Sequence, residues 1–140
     1  MTINIFKSKS IDINKSFKND PITTEIIRNS LNSAAEQMKK SLIRSAFSPI
    51  IYEVLDFASA IYDIKFCMLA QSPSLPGFMG TLSFCVEEAV KEVGGEKNLF
   101  DGDIIIYNNP YGSGSHSQDA AIVKPVFLEG KLIGYTAIKA

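Results

Sequence analysis

The sequence predicts an α+β fold: a long N-terminal helix, two hairpins and a second helix, packed on a mixed or antiparallel sheet. Apolar residues recur at helical spacing between Pro21 and Ala46, and again between Leu82 and Val93. Short apolar runs beside turn residues indicate strands. The elements follow in the order helix, two strands, helix, three strands. With 140 residues and 46% hydrophobic content, the chain can bury the core of about one domain.

The first helix has clear start and stop signals. Asp20 is a candidate N-cap, Pro21 occupies the first helical position, and Ser48-Pro49 ends the helix. One apolar stripe runs along it, formed by Ile22, Ile26, Ile27, Leu31, Ala34, Ala35, Met38, Leu42 and Ala46. The preceding residues 1–19 are polar and lysine-containing, and we expect a flexible arm there. Residues 20–140 then form the domain.

The remaining elements are shorter. Residues 57–62 and 66–71 predict a hairpin, and Pro73, Pro76 and Gly77 interrupt the chain before the second helix, which Gly94-Gly95 ends. A third strand is expected at 104–107, and a second hairpin at 120–128 and 131–138. The last strand has no cap or polar tail after it, so we expect an incomplete sheet. The alternative is a terminal strand that closes the sheet.

Composition argues against several classes of protein. The net charge of -1 provides no basic field for nucleic acid, and no apolar run approaches the ~20 residues of a membrane span. The N-terminus lacks the apolar segment of a secretory signal, which predicts a cytoplasmic protein. Cys67 and Cys85 lie in apolar runs without CxxC spacing, so we expect buried, reduced, structural thiols.

The single histidine, His116, lies three residues before Asp119 in a Gly/Ser-rich loop between two predicted strands. Gly112 and Gly114 are expected to allow positive φ and a sharp turn that places both side chains on one side. An imidazole and a carboxylate suit zinc, manganese or iron, but a metal needs at least a third protein donor. On spacing alone, a loop histidine that only forms hydrogen bonds is the simpler interpretation.

Glu53 and Asp56 form a second acidic group in front of a predicted strand. Paired carboxylates at a strand mouth can act as acid and base or as metal ligands. Asp56 is also a common type of residue at the start of a strand, and the spacing alone favours that interpretation.

Several segments together resemble the hydantoinase B/oxoprolinase family from residue 20 to residue 140. The most specific one is Asn109-Pro110-Tyr111 followed by a Gly-rich stretch and His116-Ser117-Gln118-Asp119. In this segment Asn109 replaces the family's Asp and Ser115 replaces its Thr. The other segments are Asp20 to Asn29, Asp56 to Asp63, Ala70-Gln71 and Pro76 to Thr81.

The resemblance implies site residues. It makes His116 and Asp119 ligands of a divalent metal, zinc, manganese or iron, with Asp56 as a weaker ligand candidate and a further His beyond the final strand. It makes Tyr111 and Phe78 candidates for substrate binding. Many members have His at Phe78 and Arg at Val54, so fewer polar groups would line the pocket here, which is compatible with an apolar or aromatic substrate.

The resemblance also implies an activity. The chain would be the N-terminal part of the B-type subunit of an ATP-dependent cyclic amide hydrolase. A hydantoinase A-type ATPase subunit would use ATP to phosphorylate the substrate, and metal-assisted hydrolysis would follow. The downstream remainder of the B subunit would be a second partner, and the chain alone would be inactive. The alternatives are a subunit of an ATP-dependent acetone or acetophenone carboxylase, or a noncatalytic interaction module.

Overall fold

The computed structural model describes residues 20–113 and 116–140; the predicted arm at 1–19 and the loop residues Gly114 and Ser115 lie outside them. The predicted α+β class is confirmed. The elements are α1 (Pro21–Ser45), α2 (Pro49–Tyr52), β1 (Ala58–Tyr62), β2 (Met68–Gln71), α3 (Pro76–Glu92), a 3₁₀ helix (Glu96–Asn98), β3 (Ile105–Tyr107), α4 (Pro110–Ser113), β4 (Ala121–Leu128) and β5 (Lys131–Lys139). None of the described helices combines the length and the apolar character of a membrane span.

Helix α1 begins where the capping residues predict. The Asp20 carboxylate accepts hydrogen bonds from the Ile22 and Thr23 amides at 3.1 and 3.3 Å, which satisfies two N–H groups that the first turn leaves unpaired. The helix ends at Ser45, shortly before the predicted stop. Its apolar stripe is covered only in part, because Ala35 is its only residue that is fully buried.

Helix α3 begins six residues before the predicted first apolar position, so the expected interruption at Pro76 is wrong. The reason is that a proline at the first helical position loses only an N–H that has no partner inside the helix. The inner face of α3 is buried and includes Leu82, Cys85 and Val86. Cys85 therefore matches the expectation of a buried free thiol, whereas Cys67 is exposed and contradicts it, because it lies in the turn region before β2 rather than inside a strand.

All strand pairs are antiparallel, and the spatial order is β2-β1-β5-β4-β3. Both predicted hairpins are confirmed, as β1-β2 and β4-β5. Pairing of β1 with β5 joins the two hairpins into one sheet. Helix α3 packs against one face, here called the inner face, where the main core forms. Helix α1 packs against the other, outer face, and its contact cluster with Ile61 and Ala70 lies over β1 and β2.

Three buried tyrosines predict a loss of stability at alkaline pH. The hydroxyls of Tyr62, Tyr107 and Tyr135 have no hydrogen-bond partner within the described part of the chain. Burial is the main cause that raises the pKa of Tyr135 to about 12, and it raises the pKa of Tyr62 and Tyr107 above the ordinary value of 10.0. Unfolded tyrosines lose their protons near that ordinary value, whereas the folded ones stay protonated to higher pH. The stabilisation is therefore complete below the unfolded pKa and is lost as the pH rises toward the folded pKa.

We expect the free energy of unfolding to fall by about 1.4 kcal/mol per pH unit between about pH 10 and pH 12 because of Tyr135, and the raised pKa values of Tyr62 and Tyr107 should add to this fall. Urea unfolding followed by circular dichroism at a series of pH values measures this slope. Tyr135→Phe serves as the control, because it removes one of the three titrating groups and should make the slope shallower. A free energy that stays constant through this range would contradict the prediction.

Candidate functional site

One edge of the sheet collects most of the residues that the sequence singles out. Ala58, Lys139, Ala121 and Tyr107 are successive register partners across β1, β5, β4 and β3. Because the strands are antiparallel, this edge holds the starts of β1 and β4 and the ends of β3 and β5. The segment before β1 carries Asp56, and the segment between β3 and β4 carries Tyr111, His116 and Asp119. The topology thus brings segments that are distant in sequence to one edge.

His116 and Asp119 lie in contact in the turn before β4. The imidazole Nδ1 is 3.6 Å from the Asp119 Oδ2 atom, and the same oxygen accepts a hydrogen bond from the His116 amide at 3.1 Å. The Asp119 amide in turn donates to the His116 carbonyl at 3.1 Å. These contacts fix the carboxylate, which is only 11% exposed, while the imidazole is 81% exposed. The histidine therefore projects outward from an ordered aspartate.

The separation of the two side chains fits two ligands of one cation. Ligand bonds of about 2.1 Å and a tetrahedral angle place two donor atoms about 3.4 Å apart. The observed 3.6 Å between Nδ1 and Oδ2 is close to that value. The nitrogen and oxygen donors also match the preferences of zinc, manganese and iron. Among residues 20–113 and 116–140, however, no group of three His, Cys, Asp or Glu side chains could hold a metal ion, so the third donor is not supplied there.

The structure does not place Asp56, the third predicted ligand, in a metal-binding group with His116 and Asp119. Asp56 is half-buried, and it is the central residue of a tight turn in which the Phe57 amide donates to the Leu55 carbonyl at 2.9 Å. Leu55 has a φ of 60°, which is uncommon for a residue other than glycine. Asp56 precedes β1 and Asp119 precedes β4, with β5 between them. Two strand spacings, about 10 Å, therefore separate their strands.

The loop in front of the histidine contains a short helix rather than a turn with positive φ. Gly112 lies in α4 and its φ is not positive, so that part of the expectation is wrong. A Cβ atom at Gly112 would collide with the Tyr107 hydroxyl, so a side chain there would have to displace the Tyr107 ring or α4. The neighbouring Tyr111 is 99% exposed, and its backbone amide donates a hydrogen bond to the Asn109 Oδ1 atom at 3.1 Å.

Phe78, the second residue expected to bind substrate, is half-buried on α3 and packs against the inner core. Its ring lies 5.5 Å from the Lys139 Nζ atom. Phe78 thus contacts a buried amine, whereas Tyr111 lies in solvent.

Lys139 is a feature of this edge that sequence reasoning missed. Only 1% of it is exposed, and its Nζ atom donates to the Thr81 hydroxyl at 3.4 Å and to the Cys85 thiol at 3.5 Å. Within residues 20–113 and 116–140 it forms no salt bridge with a carboxylate. The sequence did contain a signal for this burial. Successive side chains of a strand point to opposite faces, so Tyr135, Ala137 and Lys139 share the inner face.

The sequence matches the hydantoinase B/oxoprolinase family over residues 20–140, and the chain belongs to that family. It is 34% identical to 5-oxoprolinase 1 of Arabidopsis thaliana over 84% of this chain and 9% of the relative. It is 31% identical to caprolactamase subunit beta of Pseudomonas jessenii over 86% of this chain and 20% of that subunit. The chain thus spans about a fifth or less of the length of these curated relatives.

Solved structures share the fold. The crystal structure of ATP-dependent caprolactamase from Pseudomonas jessenii superposes with a TM-score of 0.77 at 30% identity, over 88% of this chain and 21% of that chain. A nucleotide-free structure of acetone carboxylase gives the same TM-score of 0.77 at 20% identity, over 87% of this chain and 16% of that chain. The second likeness concerns the fold alone. The described architecture is therefore also found as one part of larger polypeptides.

Proposed function

We propose that this chain forms the N-terminal part of the B-type subunit of an ATP-dependent hydrolase that acts on cyclic amides. The observation that carries the proposal is the family match over residues 20–140 together with the 3.6 Å contact between His116 and Asp119. The relatives include a 5-oxoprolinase and the beta subunit of a caprolactamase, whose names both denote the opening of a cyclic amide. A cytoplasmic location, where ATP is available, completes this assignment.

In the proposed reaction, a hydantoinase A-type partner subunit uses ATP to phosphorylate the substrate, and hydrolysis is completed at the edge of the sheet. His116 and Asp119 would hold a divalent cation there, either zinc, manganese or iron. When bound, such an ion supplies a Lewis acid that polarises a carbonyl or lowers the pKa of water. The remaining donors would come from the downstream remainder of the B subunit.

The side chains around the pair have separate proposed roles. Tyr111 is exposed on α4, in the same segment between β3 and β4 as the histidine, so its ring can contact a substrate that approaches this segment. Phe78 contributes apolar surface above the buried amine of Lys139. Asp119 accepts the hydrogen bond from the His116 amide and so fixes the backbone from which the imidazole projects.

Two other functions lead to different experimental results. An ATP-dependent ketone carboxylase has support only from the likeness in fold to acetone carboxylase. A noncatalytic interaction module would keep the fold and bind no metal. The assembled protein is therefore offered three cyclic amides with ATP, namely hydantoin, 5-oxoproline and caprolactam, and separately acetone with ATP and bicarbonate. We expect conversion of a cyclic amide and no conversion of acetone.

The test of the proposed metal site uses the assembled complex, purified through a tag on this chain from the cells that produce it. We expect His116→Ala and Asp119→Asn each to lower the bound divalent metal, measured by elemental analysis, by more than about tenfold, because each removes a ligand. Hydantoin hydrolysis should fall with the metal content. Asp101→Asn is the matched control, since it neutralises an exposed carboxylate in the turn before β3. Unchanged metal content in both site variants would refute the proposed site.

A further inference from the structure

We infer that the outer face of β3, β4 and β5 is a docking surface for an amphipathic helix supplied by the remainder of the B-type subunit. This inference rests on the proposed function, because that function requires the rest of the subunit. It goes beyond that function by specifying which face of the sheet is covered, that a helix covers it, and that this helix carries a negative charge. The surface is called the outer groove, and it is lined by Met38, Leu42, Ile104, Ile122, Lys124 and Ile138.

The outer groove consists of two adjoining depressions that share lining residues. Its two parts have volumes of about 480 and 200 Å³, and both are lined by Met38 and Ile138. The first part follows the C-terminal half of α1, and the second lies over β4 and β5. The groove therefore runs between a helix and the sheet surface beside it, which is where a second helix would contact both.

The strands beneath the groove carry apolar residues on both faces. On the inner side Val123 is completely buried, whereas on the outer side Ile122 is 48% exposed and its register partner Ile106 is 73% exposed. A sheet with one face in water normally alternates apolar with polar residues, and a sheet covered on both faces does not. The sequence of β3 and β4 is therefore that of a doubly covered sheet, but the contacts of α1 with the sheet lie over β1 and β2.

The dimensions fit one helix. Three strands span about 14 Å across the sheet, and a helix with its side chains is about 10–12 Å wide. Such a helix would lie beside α1, because packed helices are about 8–10 Å apart. The caprolactamase chain with the same fold is about five times as long as the part that this chain matches, so the remainder of such a subunit is a sufficient source of the helix.

Lys124 specifies the chemistry of the occupant. It is exposed in the second part of the groove, which Ile104, Ile122 and Ile138 also line, and it forms no salt bridge with another residue of the described ranges. A helix that buries the isoleucines would bring a side chain opposite this ammonium group, and a carboxylate there would avoid an unpaired buried charge. The docked helix should therefore carry an Asp or Glu within its apolar stripe.

The test combines variants with a zero-length cross-link. The tagged chain is purified from the cells that produce it, treated with a carbodiimide that joins amines to adjacent carboxylates, and analysed by mass spectrometry. We expect Lys124 to be joined to an Asp or Glu of a polypeptide whose sequence belongs to the remainder of a hydantoinase B-type subunit. Ile122→Lys and Ile104→Lys should each reduce capture of that polypeptide by roughly tenfold or more, because a charge replaces an apolar contact in the groove.

Ile133→Lys is the matched control, since Ile133 is 47% exposed on β5 but does not line the groove. Normal capture in this variant, together with unchanged circular dichroism of the two groove variants, supports the proposal. Three results would overturn the proposal. The first is capture that is unchanged in both groove variants, the second is a cross-link from Lys124 to a second copy of this chain, and the third is the absence of any captured B-type polypeptide. A captured complex that binds no metal and hydrolyses none of the three cyclic amides hydantoin, 5-oxoproline and caprolactam would refute the proposed function and leave the docking surface standing.

Discussion

Gly134→Ala is expected to lower the free energy of unfolding by about 2–3 kcal/mol, because a methyl group at this position has no space. A Cβ atom there would collide with the Tyr62 carbonyl oxygen of the adjacent strand β1. That obstacle is backbone, so a side-chain rotation cannot relieve it. The collision lies at the end of the β1-β5 pairing, the contact that joins the two hairpins into one sheet. Urea unfolding at neutral pH measures the change.

Gly80→Ala provides the matched control for this prediction. Gly80 lies inside α3, and a Cβ atom there would meet nothing within 4 Å. Alanine in a helix interior loses less backbone entropy on folding than glycine, so this variant should gain about 0.5–1 kcal/mol. The same chemical change should thus have opposite signs at the two positions. A similar loss of stability in both variants would show that steric conflict at Gly134 is not the cause.

Lys139→Met is expected to raise the free energy of unfolding by about 1–3 kcal/mol, because a buried amine with no carboxylate partner in the described ranges is replaced by an apolar side chain of similar length. Its neighbours are the Thr81 hydroxyl and the Cys85 thiol, and the hydroxyl keeps a bond to the Gly77 carbonyl when the amine is removed. The Phe78 ring would contact the methionine sulfur or methyl group favourably. Urea unfolding of the purified chain measures this gain.

Lys131→Met is the control for this variant, because Lys131 is exposed at the start of the same strand and its replacement should change stability by less than about 0.5 kcal/mol. Destabilisation by Lys139→Met would contradict the expected gain and would show that the Lys139 amine makes a stabilising contact. If Lys139→Met makes the assembled protein more stable but slows hydantoin hydrolysis, the Lys139 amine contributes to activity at this edge of the sheet and not to folding.

Local signals in the sequence were sufficient for most elements of the fold. Asp20 and Pro21 start α1, because the Asp20 carboxylate accepts hydrogen bonds from unpaired amides of the first turn and the proline has no N–H that would need a partner. Short turns between apolar runs predicted both hairpins, since neighbouring strands joined by a few residues pair antiparallel. The start of α3 was not predicted, because Pro76 has the same appearance in a loop as at the first position of a helix.

The residue types of the candidate site could also be recognised in the sequence, whereas the spatial arrangement of these residues could not. The interval between His116 and Asp119 is short enough for one turn to bring them into contact, as the structure shows. Because β1 pairs with β5, Asp56 lies at the same edge of the sheet as His116 and Asp119 but does not contact them. That pairing joins residues about 80 positions apart, and nothing local to either strand specifies it.

The sequence by itself determined the class of fold, the two hairpins and the pair of candidate ligands, because each depends on residues close together along the chain. It also determined the family, because the family's segments can be recognised one by one without knowledge of their contacts. Only the tertiary structure decided the strand order, the burial of Lys139 and the exposure of the outer groove. Those three depend on which faces of distant elements meet, and apolar periodicity shows that a face is to be buried without showing what buries it.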